Sequence, residues 1–145
     1  MAAERRAEVT WTGDLASGSG TIERVGSGAF GPLDVSWAAR TEEQSGGKTS
    51  PEELIAAAHA SCFSMALSSG LAKAGTPPER LETSATVTFV PGSGITKSAL
   101  TVRAVVPGID EAAFLEAAEA ARGNCPVSQA LAAIPEITLE AQLEQ

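Results

Sequence analysis

Cys62 and Cys125 are the residues of this chain best suited to chemistry. They are its two cysteines, and a thiolate is both a nucleophile and a redox-active group. Cys125 directly precedes Pro126, a residue that readily opens a helix, and the unpaired N–H groups of a helix start favour the thiolate. Taken alone, each cysteine is better explained as a small buried hydrophobic residue. The pair and its surroundings together favour thiol chemistry.

A thiol that attacks a peroxide needs a cation or a hydrogen-bond donor beside it, both to lower its pKa and to polarise the O–O bond. Arg40, at the end of a predicted strand, is the best candidate, because a guanidinium stays charged and can hold a peroxide oxygen and a carboxylate together. The sulfenic acid that forms on Cys62 then needs a second thiol, to make a disulfide before over-oxidation. Cys125 is the candidate for this resolving role.

Glu52 is the candidate partner of Arg40. It lies ten residues before Cys62, which on one straight helix is a rise of about 15 Å, so it cannot act directly on the cysteine of its own helix. It can hold Arg40 or reach a cysteine site across a dimer. The alternative is that Glu52 is an acid that interacts favourably with the helix dipole.

His59 is the single histidine and lies three residues before Cys62, on an adjoining helix face. It is a candidate base or hydrogen-bond partner for the thiol, although a lone histidine on an apolar helix is more often a satisfied interior residue. A metal site would need His59, both cysteines and a carboxylate, which is a weak match to zinc patterns. Neither a metal nor a nucleotide cofactor is predicted, since no phosphate-binding glycine motif is present.

Length and charge narrow the class of protein. The 145 residues predict one domain over 1–145, and the net charge of −8 argues against nucleic acid or an anionic membrane surface as a partner. No secretory signal is visible at the start. Residues 54–72 are long and apolar enough for a membrane-spanning helix to be considered. Their Ala and Ser content predicts a buried helix instead. We therefore expect a cytoplasmic protein, in which a cysteine pair is more often catalytic or redox-active than a permanent crosslink.

Periodicity and turn signals predict the element order β-β-β-α-β-β-α-α-β. The expected strands are 7–12, 20–25, 33–40, 83–90, 95–106 and 136–143, and the expected helices are 51–74, 111–122 and 126–133. Ser50, Pro51 and Glu53 supply an N-cap, an N1 proline and a capping box for the first helix, and Gly75 its stop. Asp110 and Gly123 are expected to bound the second helix.

This order predicts an α+β fold, because runs of strands surround helices without βαβ repetition, and it favours antiparallel sheets. The first helix carries apolar residues on nearly all sides, so it must be buried all round. One sheet cannot cover all its faces, and a homodimer is therefore expected.

The chain resembles the OsmC/Ohr family, the osmotically inducible protein C and organic hydroperoxide resistance proteins, over essentially its whole length. The blocks that carry the resemblance are 50–68 (SPEELIAAAHASCFSMALS), 124–131 (NCPVSQAL), 106–110 (VPGID) and 137–139 (ITL). The stretch HASCFSMA at 59–66 is similar to the OsmC branch rather than the Ohr branch.

The resemblance implies an OsmC-like fold, an intertwined homodimer with a long buried central helix, and a thiol-dependent peroxidase in stress defence that reduces organic hydroperoxides, hydrogen peroxide being a further candidate. Cys62 then corresponds to the peroxidatic cysteine, Cys125 to the resolving one, and Arg40 and Glu52 to the activating pair. It implies no bound cofactor, and as reductant an external thiol or dithiol such as a dihydrolipoyl group. The residues alone leave two rivals open, a non-catalytic redox or apolar-ligand-binding dimer and a metal-binding dimer.

Overall fold

The computed structural model describes residues 1–144, and the chain forms two compact units within it. The first covers Met1–Pro51, and the second begins at Glu52 and carries the rest of the described chain. The prediction of a single domain over 1–145 stays a prediction, and its last residue lies outside the described part.

The first unit is a small antiparallel sheet. Its strands are β1 (Ala7–Thr12), β2 (Ser19–Val25) and β3 (Leu33–Val35), in the spatial order β1-β2-β3. Both pairings are antiparallel, with Trp11 opposite Gly20 and Thr21 opposite Asp34. The first two predicted strands are thus confirmed.

The third predicted strand, 33–40, is wrong beyond Val35. The chain turns there into a short helix, α1 (Trp37–Thr41), and Ser36 is its N-cap, with the Ser36 hydroxyl accepting the Ala39 N–H at 3.1 Å. A serine oxygen that satisfies an unpaired N–H is a strong helix start, and two alanines follow it. Arg40 therefore lies in the last turn of a helix and does not end a strand.

The long helix α2 (Pro51–Lys73) begins the second unit's main structure and confirms the predicted helix 51–74 to within one residue. It ends as expected at Gly75, whose φ of +92° is the left-handed conformation that glycine adopts without strain. The Thr76 N–H reaches back to the Leu71 carbonyl at 2.9 Å, which satisfies a carbonyl of the last turn.

The second sheet has the order β4-β5-β6, formed by β4 (Arg80–Val90), β5 (Gly94–Val105) and β6 (Glu136–Glu144). β4 and β5 form the predicted antiparallel hairpin. β6 pairs with β5 in parallel, with Leu100 opposite Leu139, so the expectation of purely antiparallel sheets is wrong for this pair. The physical reason is the connection: two helices lie between β5 and β6, and such a crossover returns a strand in the same direction.

Those two helices are α3 (Glu111–Asn124) and α4 (Pro126–Ala130). Asp110 caps α3 as predicted, its carboxylate accepting the Ala113 N–H at 2.8 Å. The predicted end at Gly123 is wrong, because the Cys125 N–H still donates to the Ala121 carbonyl at 2.9 Å. α4 is also shorter than the predicted 126–133. The α+β class is confirmed.

One buried cluster joins α2, α3 and the second sheet. The side chains that form it are Phe63, Leu67 and Leu71 of α2, Leu100, Val102 and Ala104 of β5, Phe114, Ala118 and Ala121 of α3, and also Val106 and Cys125. The α2 members recur every four residues, so one face of the helix points into the core.

The remaining faces of α2 are more open. Met65 is 71% exposed, and α2 is long and apolar enough to cross a membrane by length and composition alone, with 22% of its most apolar stretch buried. The expectation that this helix is buried all round is therefore not met by a single chain. A second covering surface is required if these faces are to leave water.

Candidate active site

Cys125 lies at the break between α3 and α4, where it is the C-cap of one helix and the N-cap of the next. Its ψ of 122° departs from helical geometry, as expected for a residue that precedes proline. Its side chain is fully buried in the core cluster. The sequence prediction that Pro126 opens a helix directly after this thiol is confirmed.

Cys62 lies in the middle of α2, partly buried, and packs against the same core cluster. Its thiol is close enough to Cys125 for the two groups to act on each other's protonation, and it also interacts with the backbone N–H of Val127 at the start of α4. Both cysteines are reduced thiols. The fold thus brings together within one unit the two cysteines that the sequence singles out.

The pKa values of the two thiols are shifted in opposite directions. Burial raises the pKa of the Cys62 thiol, the Val127 N–H partly offsets that rise, and the neighbouring Cys125 thiol adds to it. Burial also acts to raise the pKa of Cys125, but the Ser128 N–H, the Cys62 thiol, the Ser128 hydroxyl and the Val127 N–H together hold it below its ordinary value. These groups stabilise negative charge on the sulfur, although none makes a capping hydrogen bond of good geometry.

The groups of the second unit that shift the Cys62 pKa are Val127 and Cys125, and neither carries a positive charge. A thiol that must attack a peroxide near neutral pH therefore needs a positive group beyond the contacts seen inside the second unit.

His59 is fully buried and both of its ring nitrogens have serine partners. Nδ1 is 2.7 Å from Ser98 Oγ, and Nε2 is 2.8 Å from Ser128 Oγ. Burial lowers the pKa of the imidazole, so the ring is neutral near pH 7. The interpretation of His59 as a satisfied interior residue is confirmed, but one of its partners, Ser128, also helps to lower the pKa of Cys125.

Ser98 and Ser128 are the site residues that sequence reasoning missed. Ser98 occupies an inward position of β5, two residues before the buried Leu100. A polar residue in a buried apolar row requires a hydrogen-bond partner, and this signal was readable in the strand pattern. Ser128 lies in the block 124–131 at the third position after Cys125, where side chains approach a helix start.

Arg40 and Glu52 lie in different units, so the pairing predicted for them stays a prediction. Arg40 is partly buried in α1, with its guanidinium carbon 5.6 Å from the centroid of the Trp37 ring. Glu52 lies in the first turn of α2 and is only 6% exposed. A carboxylate that is buried to this extent is retained only with charged or hydrogen-bonding partners.

In residues 1–144, no group of three or more His, Cys, Asp or Glu side chains is arranged to hold a metal ion. The nitrogens of His59, which a metal-binding dimer would use, are engaged by hydroxyl groups. This arrangement suits a histidine that orders its neighbours better than one that ligates a metal.

Residues 44–140 match the family model described as OsmC-like protein. The chain belongs to this family. It is 42% identical over 147 aligned positions to the peroxiredoxin OsmC of Escherichia coli K12 and equally to that of Shigella flexneri, and in both cases the alignment covers 99% of each chain. The identity over the full length supports the OsmC branch.

Solved structures share the fold. An organic hydroperoxide resistance protein of Elizabethkingia anophelis superposes with a TM-score of 0.66 at 20% identity, covering 100% of this chain and 99% of its own. The organic hydroperoxide resistance protein OsmC of Legionella pneumophila gives 0.64 at 20% identity, covering 97% of both chains. OhrB of Bacillus subtilis gives 0.59 at 24% identity, covering 96% and 98%. At these identities the likeness establishes the OsmC-like fold alone.

Proposed function

We propose that this protein reduces organic hydroperoxides through Cys62 and Cys125, with hydrogen peroxide as a second substrate. The broader statement, a cysteine-based peroxidase of stress defence, follows from its full-length identity to the curated peroxiredoxins. The observation that supports the two-cysteine cycle is the contact of both thiols inside one unit.

The proposed cycle balances in three steps. The Cys62 thiolate attacks the terminal oxygen of ROOH, the O–O bond breaks, and the alkoxide takes a proton to leave as ROH. The Cys125 thiolate then attacks the Cys62 sulfenic acid, the S–S bond forms, and the departing hydroxide takes a proton to become water. Two thiol groups of an external reductant restore both cysteines by exchange and are themselves oxidised to a disulfide.

The proposed division of roles agrees with the two environments. Cys125 is poised to react as a thiolate, because its neighbours lower its pKa, which suits a resolving nucleophile. Cys62 is the more accessible thiol, which suits a group that must meet a soluble peroxide.

Arg40 is proposed to supply the cation that activates Cys62, and Glu52 to hold Arg40. A guanidinium beside the sulfur would oppose the rise that burial and Cys125 impose on the Cys62 pKa. Support for the Glu52 role comes from its burial, since a buried carboxylate requires a charged or hydrogen-bonding partner.

We further propose a cytoplasmic homodimer in which a second copy covers the open apolar face of α2. Hydroperoxide and an external thiol or dithiol, of which a dihydrolipoyl group is the candidate that the family suggests, are its small-molecule partners. Neither nucleic acid nor a membrane is proposed as a partner, in keeping with the net charge of −8.

The deciding experiment mixes the reduced protein with cumene hydroperoxide or hydrogen peroxide in a stopped-flow instrument and titrates thiols before and after. We expect one equivalent of peroxide to consume both thiols, with faster consumption of the organic peroxide. Unchanged thiols after exposure to either peroxide would contradict the proposed function and favour the rival, a non-catalytic dimer.

A further inference from the structure

We propose that His59 and Ser128 are positioning residues for the resolving step, in which His59 directs the Ser128 hydroxyl proton toward the Cys125 sulfur. This inference rests on the proposed function, because it assigns residues to the second half of that cycle. It concerns side chains for which the proposed cycle has no other use.

The geometry is a continuous buried row of polar groups. Ser98 on β5, His59 on α2 and Ser128 on α4 are joined by contacts of 2.7 and 2.8 Å. Cys125 is the N-cap of α4 and Ser128 the third residue of that helix, a position whose side chain lies beside the N-cap residue, and the Ser128 hydroxyl helps to lower the pKa of Cys125. All four side chains are at most 7% exposed. The row therefore links three separate elements to the sulfur of the resolving cysteine.

The number of protons that the hydroxyl and imidazole groups of this row carry determines which of them can donate a hydrogen bond to the sulfur. A serine hydroxyl has one proton and must choose between its two neighbours. When Nε2 of His59 carries the ring proton, it donates to Ser128 Oγ, and the serine proton is then available for the Cys125 sulfur. Nδ1 in that tautomer accepts the hydroxyl proton of Ser98. The opposite tautomer would draw the Ser128 proton toward Nε2 and away from the sulfur.

The proposed arrangement requires Ser98 to donate its hydroxyl proton to Nδ1 of His59. A neutral imidazole has one donor and one acceptor nitrogen, and the partner of one nitrogen selects the tautomer. Within residues 1–144 the ring has no ion pair that would favour the imidazolium, and burial disfavours that charged form. The titratable groups that the row meets are Cys125 and, through it, Cys62.

The consequence for chemistry is specific to one step. A donor aimed at the Cys125 sulfur stabilises its thiolate, and the thiolate is the form that attacks the sulfenic sulfur of Cys62. As Cys125 loses its thiol proton and the departing hydroxide takes one up, the step yields a disulfide and water. Peroxide attack by Cys62 does not use this donor, so the two steps should respond differently to its removal.

The first test measures the pKa of Cys125 by the ultraviolet absorbance of its thiolate in the full chain with Cys62→Ser. This reading needs neither peroxide nor access of a reagent to a buried sulfur.

We expect Ser128→Ala to raise the Cys125 pKa by about one unit, the scale of one lost hydrogen bond to a charged group. His59→Leu should raise it similarly, and His59→Gln, whose amide reaches the Nε2 position, should restore most of the difference. Ser64→Ala is the matched control, since Ser64 lies on α2 as His59 does, while its hydroxyl donates to Thr83 of β4 at 2.8 Å.

The second test is kinetic and uses both cysteines. Ser128→Ala and His59→Leu should slow disulfide formation about tenfold, in step with the thiolate fraction. The initial consumption of peroxide by Cys62 should not slow, because a protonated Cys125 raises the Cys62 pKa less than its thiolate does. The double variant should be no slower than either single one, because both act through one hydrogen bond. Unchanged disulfide formation, or an equal slowing of both steps, would overturn the proposal.

A third measurement needs no variant and decides the matter if Ser128→Ala fails to fold. His59 is the single histidine, so nitrogen NMR of the reduced protein reports this ring alone. Above the Cys125 pKa we expect the neutral tautomer with the proton on Nε2. A proton on Nδ1, or an imidazolium, would refute the proposal. Protein that does not reduce any peroxide but shows the expected tautomer and pKa changes would contradict the proposed function and leave this placement intact.

Discussion

The thiols of Cys62 and Cys125 interact within a single chain, one carried by the middle of α2 and the other by the break between α3 and α4. The contact depends on Pro126, because the residue before a proline leaves the helical conformation. Cys125 therefore does not continue the helical path of α3. The contact also makes the two thiols unequal, with the pKa of Cys62 raised and that of Cys125 lowered. This relationship supports the proposed disulfide cycle within one chain.

We expect one equivalent of hydroperoxide to form a Cys62–Cys125 disulfide within one chain. The reason is that the two thiols already act on each other's protonation inside the second unit, so no second copy is needed to bring them together. Mass spectrometry of a non-reduced digest, with denaturing gels that separate crosslinked chains, measures the linkage. Links found only between chains would contradict the expectation.

We expect Cys62→Ser to abolish peroxide reduction, and Cys125→Ser to retain a single attack followed by accumulation of sulfenic and then sulfinic acid. The difference arises because only the resolving thiol protects the sulfenic acid from further oxidation. A dimedone-type sulfenic acid probe and intact mass report the species. If both variants lose the first turnover equally, the assigned roles are wrong.

Disulfide formation should persist into more acidic solution than an ordinary cysteine would allow. The lowered pKa of Cys125 keeps its thiolate present at a pH where an unperturbed thiol is already protonated, and the rate should fall as the pH drops through this lowered pKa. Rapid-mixing measurement of the resolving step against pH, with preformed Cys62 sulfenic acid, gives the midpoint. A midpoint at or above the ordinary thiol pKa would count against the role of the Cys125 environment.

Most of the fold could be predicted from the sequence, because the capping, turn and periodicity signals of most segments indicate the same element as their pattern of buried residues. Each of these signals identifies one element without reference to the rest of the chain. They are the alternation in β4 and β5, the proline at the start and the glycine after the end of α2, and the Asp110 cap of α3. The end of β3 could not be found this way. The stretch after Val35 carries both strand-like residues and an N-cap serine, and the bond from Ala39 to Ser36 decides for the helix. The parallel pairing of β6 depends on the path of the α3–α4 connection and not on the strand's own residues.

The candidate site was predictable for the groups that react and not for the groups that order them. Cysteine chemistry marks Cys62 and Cys125 by residue type. The role of His59 depends on Ser98, which is distant in sequence and reaches the ring only after β5 packs on α2. Sequence spacing places Cys62 near His59, whereas the observed hydrogen bonds connect His59 toward Cys125 through Ser128.

We expect the protein to be a dimer at micromolar concentration and Met65→Asp to weaken it. Met65 is 71% exposed on α2 in the single chain, and large exposed apolar patches are rare on monomers, so a charge placed there should oppose the covering copy. Light scattering across a dilution series measures the mass. Leu115→Asp on α3, at a side chain that is 40% exposed, is the matched control and should leave the mass unchanged. A monomeric mass for the unaltered protein with full peroxidase activity would refute the packing argument.

Arg40→Met should raise the pKa of Cys62 and slow peroxide attack about tenfold for each unit of the rise, whereas Glu52→Gln should cost less. Without a cation, the Cys62 thiol is governed by burial and by Cys125, both of which raise its pKa. It is then protonated near neutral pH and gains thiolate only as the pH rises. Glu52 lies about 15 Å along the helix axis from Cys62, so its loss should act only through the placement of Arg40. The pH dependence of Cys62 alkylation, measured for each variant with Cys125→Ser, separates the two effects. If Arg40→Met titrates like the parent while Glu52→Gln shifts the curve, the roles assigned to this pair are wrong.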